Sequence, residues 1–341
     1  MSSLSDLVGR SFGEEAFGSG VQFAAYRHGE VEELALGSAD PTSELTSMHS
    51  FNLYCGSKPL EAISLLAGLE GDGIPCGRDV PLAVLLGRPD LDSRQTLGSL
   101  LCHESGHRKP DLFEFMNSSR VNRAALLPTP ESLLGTSPAP SYSPVLLSWA
   151  LDRIARGLLA CPLEEVVERT TSSLSMGSTF VTSDRPRSVA TYVDSSGTHP
   201  LPLLHDSLPA YVRSPHNVLT GFYTSAIDLC RWAIAIVESL RGQAGGSVVP
   251  SGRLLAEHLA PGLAGSSDLY AGSFAVLRRH GLPSSSACAF GGFGFVRSSL
   301  LYVDPENETV MVGIVRELRL EDLDRRLAQW DAAVALLLDG V

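Results

Sequence analysis

A cysteine and a lysine three residues apart form the strongest chemical signal in this sequence. Cys55 stands at the predicted start of a helix, and Lys58 follows one turn later, so the two side chains share a helix face. A helix N-terminus and a nearby ammonium both favour a thiolate over a thiol. The thiolate is the nucleophilic form, so this pair is typical of covalent catalysis. A motif this short also recurs by chance, and then Cys55 is a buried apolar residue and Lys58 a surface charge.

Lysine is rare in this chain. Lys58 and Lys109 are the two lysines among its 26 basic residues. Lysine gives up its proton when it is desolvated, and arginine does not. A lysine in an arginine-rich chain is therefore a candidate for proton transfer, which draws attention to Lys58. Lys109 precedes a proline and is predicted to lie in an exposed loop without a chemical role.

The elements that must position Cys55 are strands near both ends of the chain and helices in its middle. Apolar residues at three- and four-residue spacing predict helices, and runs rich in β-branched and aromatic residues predict strands. The predicted strands are Val21–Arg27, Val31–Leu36, Tyr270–Arg278, Ala287–Val303 and Val310–Arg316. The predicted helices are residues 5–16, the stripe from Leu60 to Leu69, Pro144–Leu159, Ser225–Leu240 and Leu320–Leu338. Ser183–Asn217 contains five prolines and is predicted to be a long loop.

This arrangement predicts an α/β fold with a helical insertion. Residues 1–71 and 263–341 are expected to form a discontinuous α/β lobe, and residues 72–262 a mainly helical lobe.

Several further motifs occur in a fixed order along the chain. Phe51–Lys58 fits F-x-x-x-S-x-x-K with Cys55 in the serine position. Leu97–Gly106, through its last seven residues, resembles L-L-x-H-x-S-G, and Gly221–Asp228 resembles G-x-x-S-x-x-D with one additional residue before the serine. Tyr142-Ser143-Pro144 falls at a Tyr-x-Asn position, and Phe290-Gly291-Gly292 falls at a His-x-Gly or Lys-Thr-Gly position. In this order the chain resembles the serine β-lactamase-like superfamily, which includes class C β-lactamases, β-lactamase-like esterases and transesterases, and DD-peptidases. The resemblance implies an antiparallel sheet flanked by helices, with a large helical insertion lobe.

The resemblance also implies roles for individual residues. Cys55 would be the nucleophile, Lys58 would hold the thiolate or accept its proton, and Tyr142 would act as general base and then as general acid. The backbone N–H groups of Cys55 and Phe293 would form the oxyanion hole. Phe290, Gly291 and Gly292 would line the substrate site.

The chain departs from the superfamily pattern at three positions. Cys55 replaces a serine, which retains nucleophilic capability because thiolates react well near neutral pH. Pro144 replaces an asparagine whose amide orients the lysine and the substrate. Phe290 replaces a basic residue that would meet a substrate carboxylate, so its apolar ring favours an ester, a thioester or an apolar acyl chain over a β-lactam or D-Ala-D-Ala peptide.

These features predict an acyl-transfer enzyme, either an acyltransferase or a thioesterase or esterase, that forms an acyl-enzyme on Cys55 in specialised-metabolite biosynthesis. Its partners would be a small-molecule acyl donor and acceptor, with a carrier-protein or coenzyme A thioester as one candidate donor. No cofactor is predicted. The alternative is a catalytically degenerate binding or scaffold protein of the same fold, which the changes at Pro144 and Phe290 favour. A minor alternative is a zinc hydrolase, because His103–His107 fits H-E-x-x-H.

The composition argues against several other classes of protein. The net charge is −12 and no basic cluster is visible, so nucleic acid is not an expected partner. The N-terminal residues lack the pattern of a signal peptide, and there is no long apolar run, so we expect a cytoplasmic location and no membrane association. The six cysteines show no C-x-x-C pairing, which favours reduced thiols over a zinc ribbon.

Overall fold

The computed structural model describes residues 3–12, 20–40, 42–104, 144–180, 188–189, 192–194, 201–202, 222–243, 248–259, 286, 289–293, 298–319 and 323–339. It describes the backbone alone for residues 54–55, 144–145, 188–189, 192–194, 201–202, 293, 317–319 and 323.

A five-stranded antiparallel sheet forms the centre of the described structure. Its strands, in spatial order, are β10 (Phe290–Phe293), β11 (Ser299–Asp304), β12 (Thr309–Val315), β1 (Val21–Arg27) and β2 (Glu30–Leu36). The two ends of the chain therefore meet in the sheet, since β1 pairs with both β2 and β12. His28 and Gly29 adopt positive φ angles of 49° and 90°, and this turn reverses the chain between β1 and β2.

Short strands surround this sheet. They are β3 (Ser38–Asp40), β4 (Ser43–Glu44), β5 (Ser50–Asn52), β6 (Ser188–Val189), β7 (Tyr192–Asp194), β8 (Leu201–Pro202), β9 (Tyr223–Thr224) and β13 (Glu317–Arg319). β5 lies between β6 and β9, β7 lies between β13 and β8, and β3 pairs with β4.

The described helices belong to both predicted lobes. They are α1 (Leu4–Phe12), α2 (Lys58–Gly71), α3 (Leu82–Leu85), α4 (Leu97–Leu101), α5 (Pro144–Leu158), α6 (Leu163–Ser173), α7 (Ala226–Leu240), α8 (Gly252–Leu259) and α9 (Leu323–Asp339). A 3-10 turn, Tyr54–Ser57, precedes α2. Within the described ranges, no helix is both long enough and apolar enough to cross a membrane.

Helices cover both faces of the sheet because its strands alternate between two apolar clusters. On one face, α1 and α9 pack over β1 and β12, where the ring of Trp330 contacts Phe12 and Phe23. Gly313 makes room for this indole, since a Cβ atom there would lie 2.3 Å from it. On the other face, α7 packs on β1 and β12, in a cluster that also holds α2 and α5. The predicted fold class, an antiparallel sheet flanked by helices, is confirmed.

Two predicted segments differ from the structure. Ala287–Val303 contains two strands, β10 and β11, where the sequence predicts one. Apolar residues on both sides of Arg297, Ser298 and Ser299 give the whole stretch the composition of a strand. The predicted loop Ser183–Asn217 contains the short strands β6, β7 and β8. The predicted strand Tyr270–Arg278 lies outside the described residues. The division into two lobes stays a prediction.

Candidate active site

The 3-10 turn Tyr54–Ser57 carries the backbone of Cys55 to the N-terminal end of α2. Its first hydrogen bond joins the Gly56 N–H to the Leu53 carbonyl at 2.8 Å. Pro59 lies in the first helical turn, where its fixed φ suits the helix and a missing N–H costs nothing. Cys55 therefore stands where the N–H groups of a helix N-terminus favour negative charge.

The strand β5, which precedes this turn, is held by contacts with a neighbouring segment of the chain. β5 pairs with β9, and the Leu53 N–H donates to the Phe222 carbonyl at 2.9 Å. These contacts join the residues just before Cys55 to the segment that leads into α7. The described part of the Gly221–Asp228 motif therefore packs beside the turn that carries Cys55. Ser225 caps α7 by accepting a hydrogen bond from the Asp228 N–H.

Gln22 of β1 connects the sheet to the same region. Its amide nitrogen donates to the carbonyls of Thr46 and His49 at 2.6 and 2.8 Å, and its amide oxygen accepts from the Ala226 N–H at 3.0 Å. Gln22 is fully buried, so these bonds replace the water that its amide would otherwise need. A buried polar side chain in the sheet thus fixes both the segment before β5 and the start of α7.

Lys58 belongs to a buried network of described side chains. Its ammonium donates to both oxygens of the Glu61 carboxylate, at 3.0 and 3.2 Å, and to the hydroxyl of Ser148 on α5. Ser148 donates in turn to Glu61 at 2.9 Å, and the Ser57 hydroxyl donates to the other Glu61 oxygen at 2.9 Å. Lys58 is 3% exposed and Glu61 0%. The pair therefore exchanges its hydration for charge-assisted hydrogen bonds inside the protein.

The sequence analysis missed Glu61 and Ser148. Glu61 stands three residues after Lys58, and that spacing alone places a carboxylate beside the lysine on one helix face. Nothing local in the sequence indicates Ser148, which reaches Lys58 because α5 packs on α2.

His103 lies near Lys58 and is buried. Burial lowers the pKa of its imidazole to about 3, and the Lys58 charge lowers it further in the same direction. The ring is therefore neutral at physiological pH. α4 ends at Leu101, and His103 has a left-handed φ of 55°. The backbone at His103 is thus not helical, although H-E-x-x-H zinc chemistry requires a helix there. Across the described ranges, no three acidic, histidine or cysteine side chains are grouped as metal ligands.

Among the described strands, β10 is the outermost of the sheet on its side, and it lies against the 3-10 turn that carries Cys55. Phe290 is buried in the main apolar cluster. A Cβ atom on Gly291 would lie 2.1 Å from the Leu301 carbonyl oxygen, whereas one on Gly292 would meet open space. Among the described residues, none occupies the space beside Gly292, and the backbone of Phe293 follows it directly.

Tyr142 lies outside the described residues. The helix α5 begins two residues later, at Pro144, and its Ser148 contacts Lys58. The chain segment that follows Tyr142 is therefore adjacent to the Cys55–Lys58 turn. The roles of Cys55, Lys58, Tyr142 and Phe293 stay predictions.

No protein-family model and no curated protein matches this chain. Solved structures do match it over nearly its whole length. The D-amino acid amidase from Ochrobactrum anthropi SV3 in complex with L-phenylalanine amide is 18% identical, with a TM-score of 0.73 and 100% of each chain covered. A class C β-lactamase from Rhodobacter sphaeroides is 18% identical, with a TM-score of 0.69, and the match covers 98% of this chain and 100% of the β-lactamase.

EstCE1, described as a hydrolase with promiscuous acyltransferase activity, is 18% identical, with a TM-score of 0.70. That match covers 97% of this chain and 98% of EstCE1. The resemblance to the serine β-lactamase-like superfamily is therefore confirmed at the level of the fold. The chain has the fold that these hydrolases share.

Proposed function

We propose that the protein is an acyl-transfer enzyme that forms an acyl-enzyme on Cys55. The observation that carries the proposal is the position of the turn Tyr54–Ser57, which holds the backbone of Cys55 at the N-terminal end of α2 and against β10, the outermost of the described strands on that side. The helix N-terminus favours the thiolate. The backbone N–H groups of Cys55 and Phe293 are the candidate oxyanion donors.

The proposed reaction has two steps. The thiolate sulfur of Cys55 attacks the acyl carbon of a donor thioester, the carbon–sulfur bond of the donor breaks, and the released thiolate takes up a proton. An acceptor hydroxyl, amine or water then attacks the acyl group and gives up a proton, which balances the one taken up by the leaving thiolate, and Cys55 is released as a thiolate. Exchange between thioesters is nearly thermoneutral, so a thiol nucleophile suits a carrier-protein or coenzyme A donor. We propose a role of this kind in specialised-metabolite biosynthesis, in a cytoplasmic protein.

The side chain at position 290 favours a substrate with an apolar or uncharged acyl group. Phe290 is buried among apolar residues, and it brings no positive charge to the site to pair with a substrate carboxylate. A penicillin or cephalosporin, which carries such a carboxylate, is accordingly expected to be a poor substrate. Efficient turnover of the cephalosporin nitrocefin would contradict the assignment of Phe290 on β10 to the substrate site.

Acyl-enzyme trapping tests the proposal. The protein is incubated with short acyl thioesters of N-acetylcysteamine, and intact-mass spectrometry with peptide mapping locates any acyl group. We expect one acyl group, on Cys55. The variant Cys55→Ala is the control and should remain unmodified, while Cys55→Ser should be acylated more slowly. Acylation at other cysteines with Cys55 unmodified would refute the proposal.

The second candidate is a binding protein of the same fold that has lost its chemistry. The network around Lys58 favours it, because the Lys58 amine has partners in Glu61 and Ser148 without any substrate. Absence of acylation together with tight binding of an acyl thioester by both the native chain and Cys55→Ala would favour this candidate.

A further inference from the structure

A cavity lies between α6, the chain that follows it and the segment that leads into β5. Its volume is about 550 Å³, which is in the usual range for a small-molecule site. Its described lining consists of Glu168, Thr171 and Ser172 of α6, residues 176–180, Met48 and Ser50. This lining includes no residue of the turn Tyr54–Ser57, of the network around Lys58 or of β10. The cavity is therefore distinct from the described part of the candidate active site.

Hydrogen bonds within the protein hold the inner wall of this cavity in place. The Ser50 hydroxyl donates to the Ser178 carbonyl at 2.6 Å, and the Ser178 N–H donates to the buried carboxylate of Asp228 at 2.7 Å. The backbone of Phe180 bonds in both directions to that of Tyr223, at 2.9 and 2.7 Å. Contacts with β5, β9 and the first turn of α7 thus fix the wall, so the cavity is formed before any ligand binds.

The hydroxyl groups of the wall have already given their protons to the protein. The Ser178 hydroxyl donates to the Met48 carbonyl, and the Thr171 hydroxyl donates to the Glu168 carbonyl. Ser50 donates to Ser178 in the same way. A hydroxyl has one proton and two lone pairs, so these three groups have only lone pairs left to offer. A ligand that meets them must therefore donate hydrogen bonds.

The charged side chain in the described lining is Glu168, whose carboxylate is exposed on α6. Its charge reaches Glu164, where burial and then Glu168 raise the pKa of the carboxyl group. Arg231, a cation near the same wall, donates to Asp228 and to the Ser175 carbonyl, so its charge is balanced within the protein. The described residues contain no group of metal ligands. The lining therefore favours an organic cation over a metal ion.

Apolar side chains complete the described lining. Met48 is 43% exposed, whereas Met176 and Phe180 are buried, and methionine adapts its shape to what it contacts. We propose that this cavity is a second ligand site that binds a small organic ammonium, with the charged head beside Glu168 and the apolar body against Met48 and Met176. The inference does not depend on the chemistry of Cys55.

Methyl NMR of the methionines locates the ligand. The chain has five methionines, so carbon-13 labelling of their methyl groups gives few signals, and Met48→Leu and Met176→Leu assign the two at the cavity. We expect n-hexylammonium to shift both signals in a saturable way, while the signal of Met311, which is fully buried in β12, does not move. Shifts confined to other methionines, or no binding of either n-hexylammonium or benzylammonium up to about 10 mM, would overturn the proposal.

Uncharged and anionic analogues test the preference for a cation. Hexanol and hexanoate should bind at least about tenfold more weakly than n-hexylammonium, because neither brings a positive charge to Glu168. Glu168→Gln should weaken n-hexylammonium binding by about tenfold. The control is Glu165→Gln, which removes an exposed carboxylate that pairs with Arg169 on the same helix and should leave the affinity within about twofold. Equal affinity for hexanol, or no effect of Glu168→Gln, would refute an ammonium site.

A side chain built into the cavity tests where the ligand lies. A Cβ atom on Gly177 would meet open space, so Gly177→Leu should fold normally and block n-hexylammonium. Gly157→Leu is the control, since position 157 also faces open space but lies outside the described lining. Unchanged binding in Gly177→Leu would contradict the proposal. Cys55→Ala should bind like the native chain, and loss of binding there would refute a site separate from the candidate active site.

Discussion

Replacing Lys58 by methionine would leave the Glu61 carboxylate buried without its counter-charge. At 3.0 Å and an effective dielectric constant of about 20, the attraction between the two charges is about 5.5 kcal/mol. The desolvation of the two ions costs several kcal/mol for each and largely cancels this attraction. The pair as a whole therefore contributes little to stability, whereas removal of one partner is expensive.

The variant Lys58→Met is accordingly expected to lose about 3–5 kcal/mol of the free energy of unfolding. The double variant Lys58→Met/Glu61→Leu should regain most of it and remain within about 2 kcal/mol of the native chain. It should not regain everything, because the hydroxyls of Ser57 and Ser148 lose their acceptor.

Urea unfolding followed by tryptophan fluorescence measures these differences, since Trp232 and Trp330 are fully buried. The matched control is Arg156→Met. Arg156 pairs with Asp152 at a similarly short distance, 2.7 Å, but this pair lies at the surface. Its removal should lower the free energy of unfolding by about 0.5 kcal/mol or less. If Lys58→Met cost no more than this surface control, the Lys58–Glu61 pair would be solvated and the argument from burial would be wrong.

Three further predictions concern other parts of the molecule. Iodoacetamide at pH 7 should alkylate Cys55 much faster than Cys230, because burial raises the pKa of the Cys230 thiol to about 12; equal rates, measured by peptide mass spectrometry, would remove the case for a nucleophile. Gly291→Ala should lower the free energy of unfolding by about 1–3 kcal/mol, since its new Cβ would lie 2.1 Å from a backbone oxygen. Gly292→Ala is its control and should have no effect; equal losses would contradict the close approach at β10. Burial, and then the charge of a neighbouring glutamate, raises the pKa of Glu164 from 4.5 to about 7. Between these values the folded chain keeps a proton that the unfolded chain has released, so stability falls as the pH rises through this window. Glu164→Gln should remove up to about 3 kcal/mol of that loss, as measured by unfolding midpoints at about pH 5 and pH 8; an unchanged pH dependence would refute this assignment.

The sequence predicted the elements that carry a strong periodic pattern. β1 runs over Val21–Arg27, as predicted, and α5 and α7 begin and end within one residue of their predicted bounds. Such segments bury one continuous face, so side-chain spacing alone indicates them. The fold class followed from the order of these elements and from the resemblance.

The network around Lys58 contains one contact that the sequence could have predicted and one that it could not. Glu61 was within reach of local reasoning, because a Lys and a Glu three residues apart share a helix face. Ser148 was not, since its contact with Lys58 depends on the packing of α5 against α2. The separation of β10 from β11 was hidden for a related reason, because both strands are apolar and the sequence does not show which run of apolar residues pairs with which.

The pairing of β1 has a consequence for the order of folding. β1 lies between β2, its neighbour in the sequence, and β12, which comes from near the other end of the chain. On the ribosome, the turn that carries Cys55 emerges long before β12 is made, so the sheet behind that turn is incomplete during most of synthesis. Pairing between such distant segments is slow, and its apolar strand edges stay exposed to aggregation in the meantime. The nascent chain would therefore carry Cys55, with the thiol accessible, well before the fold that turns it into a selective nucleophile exists.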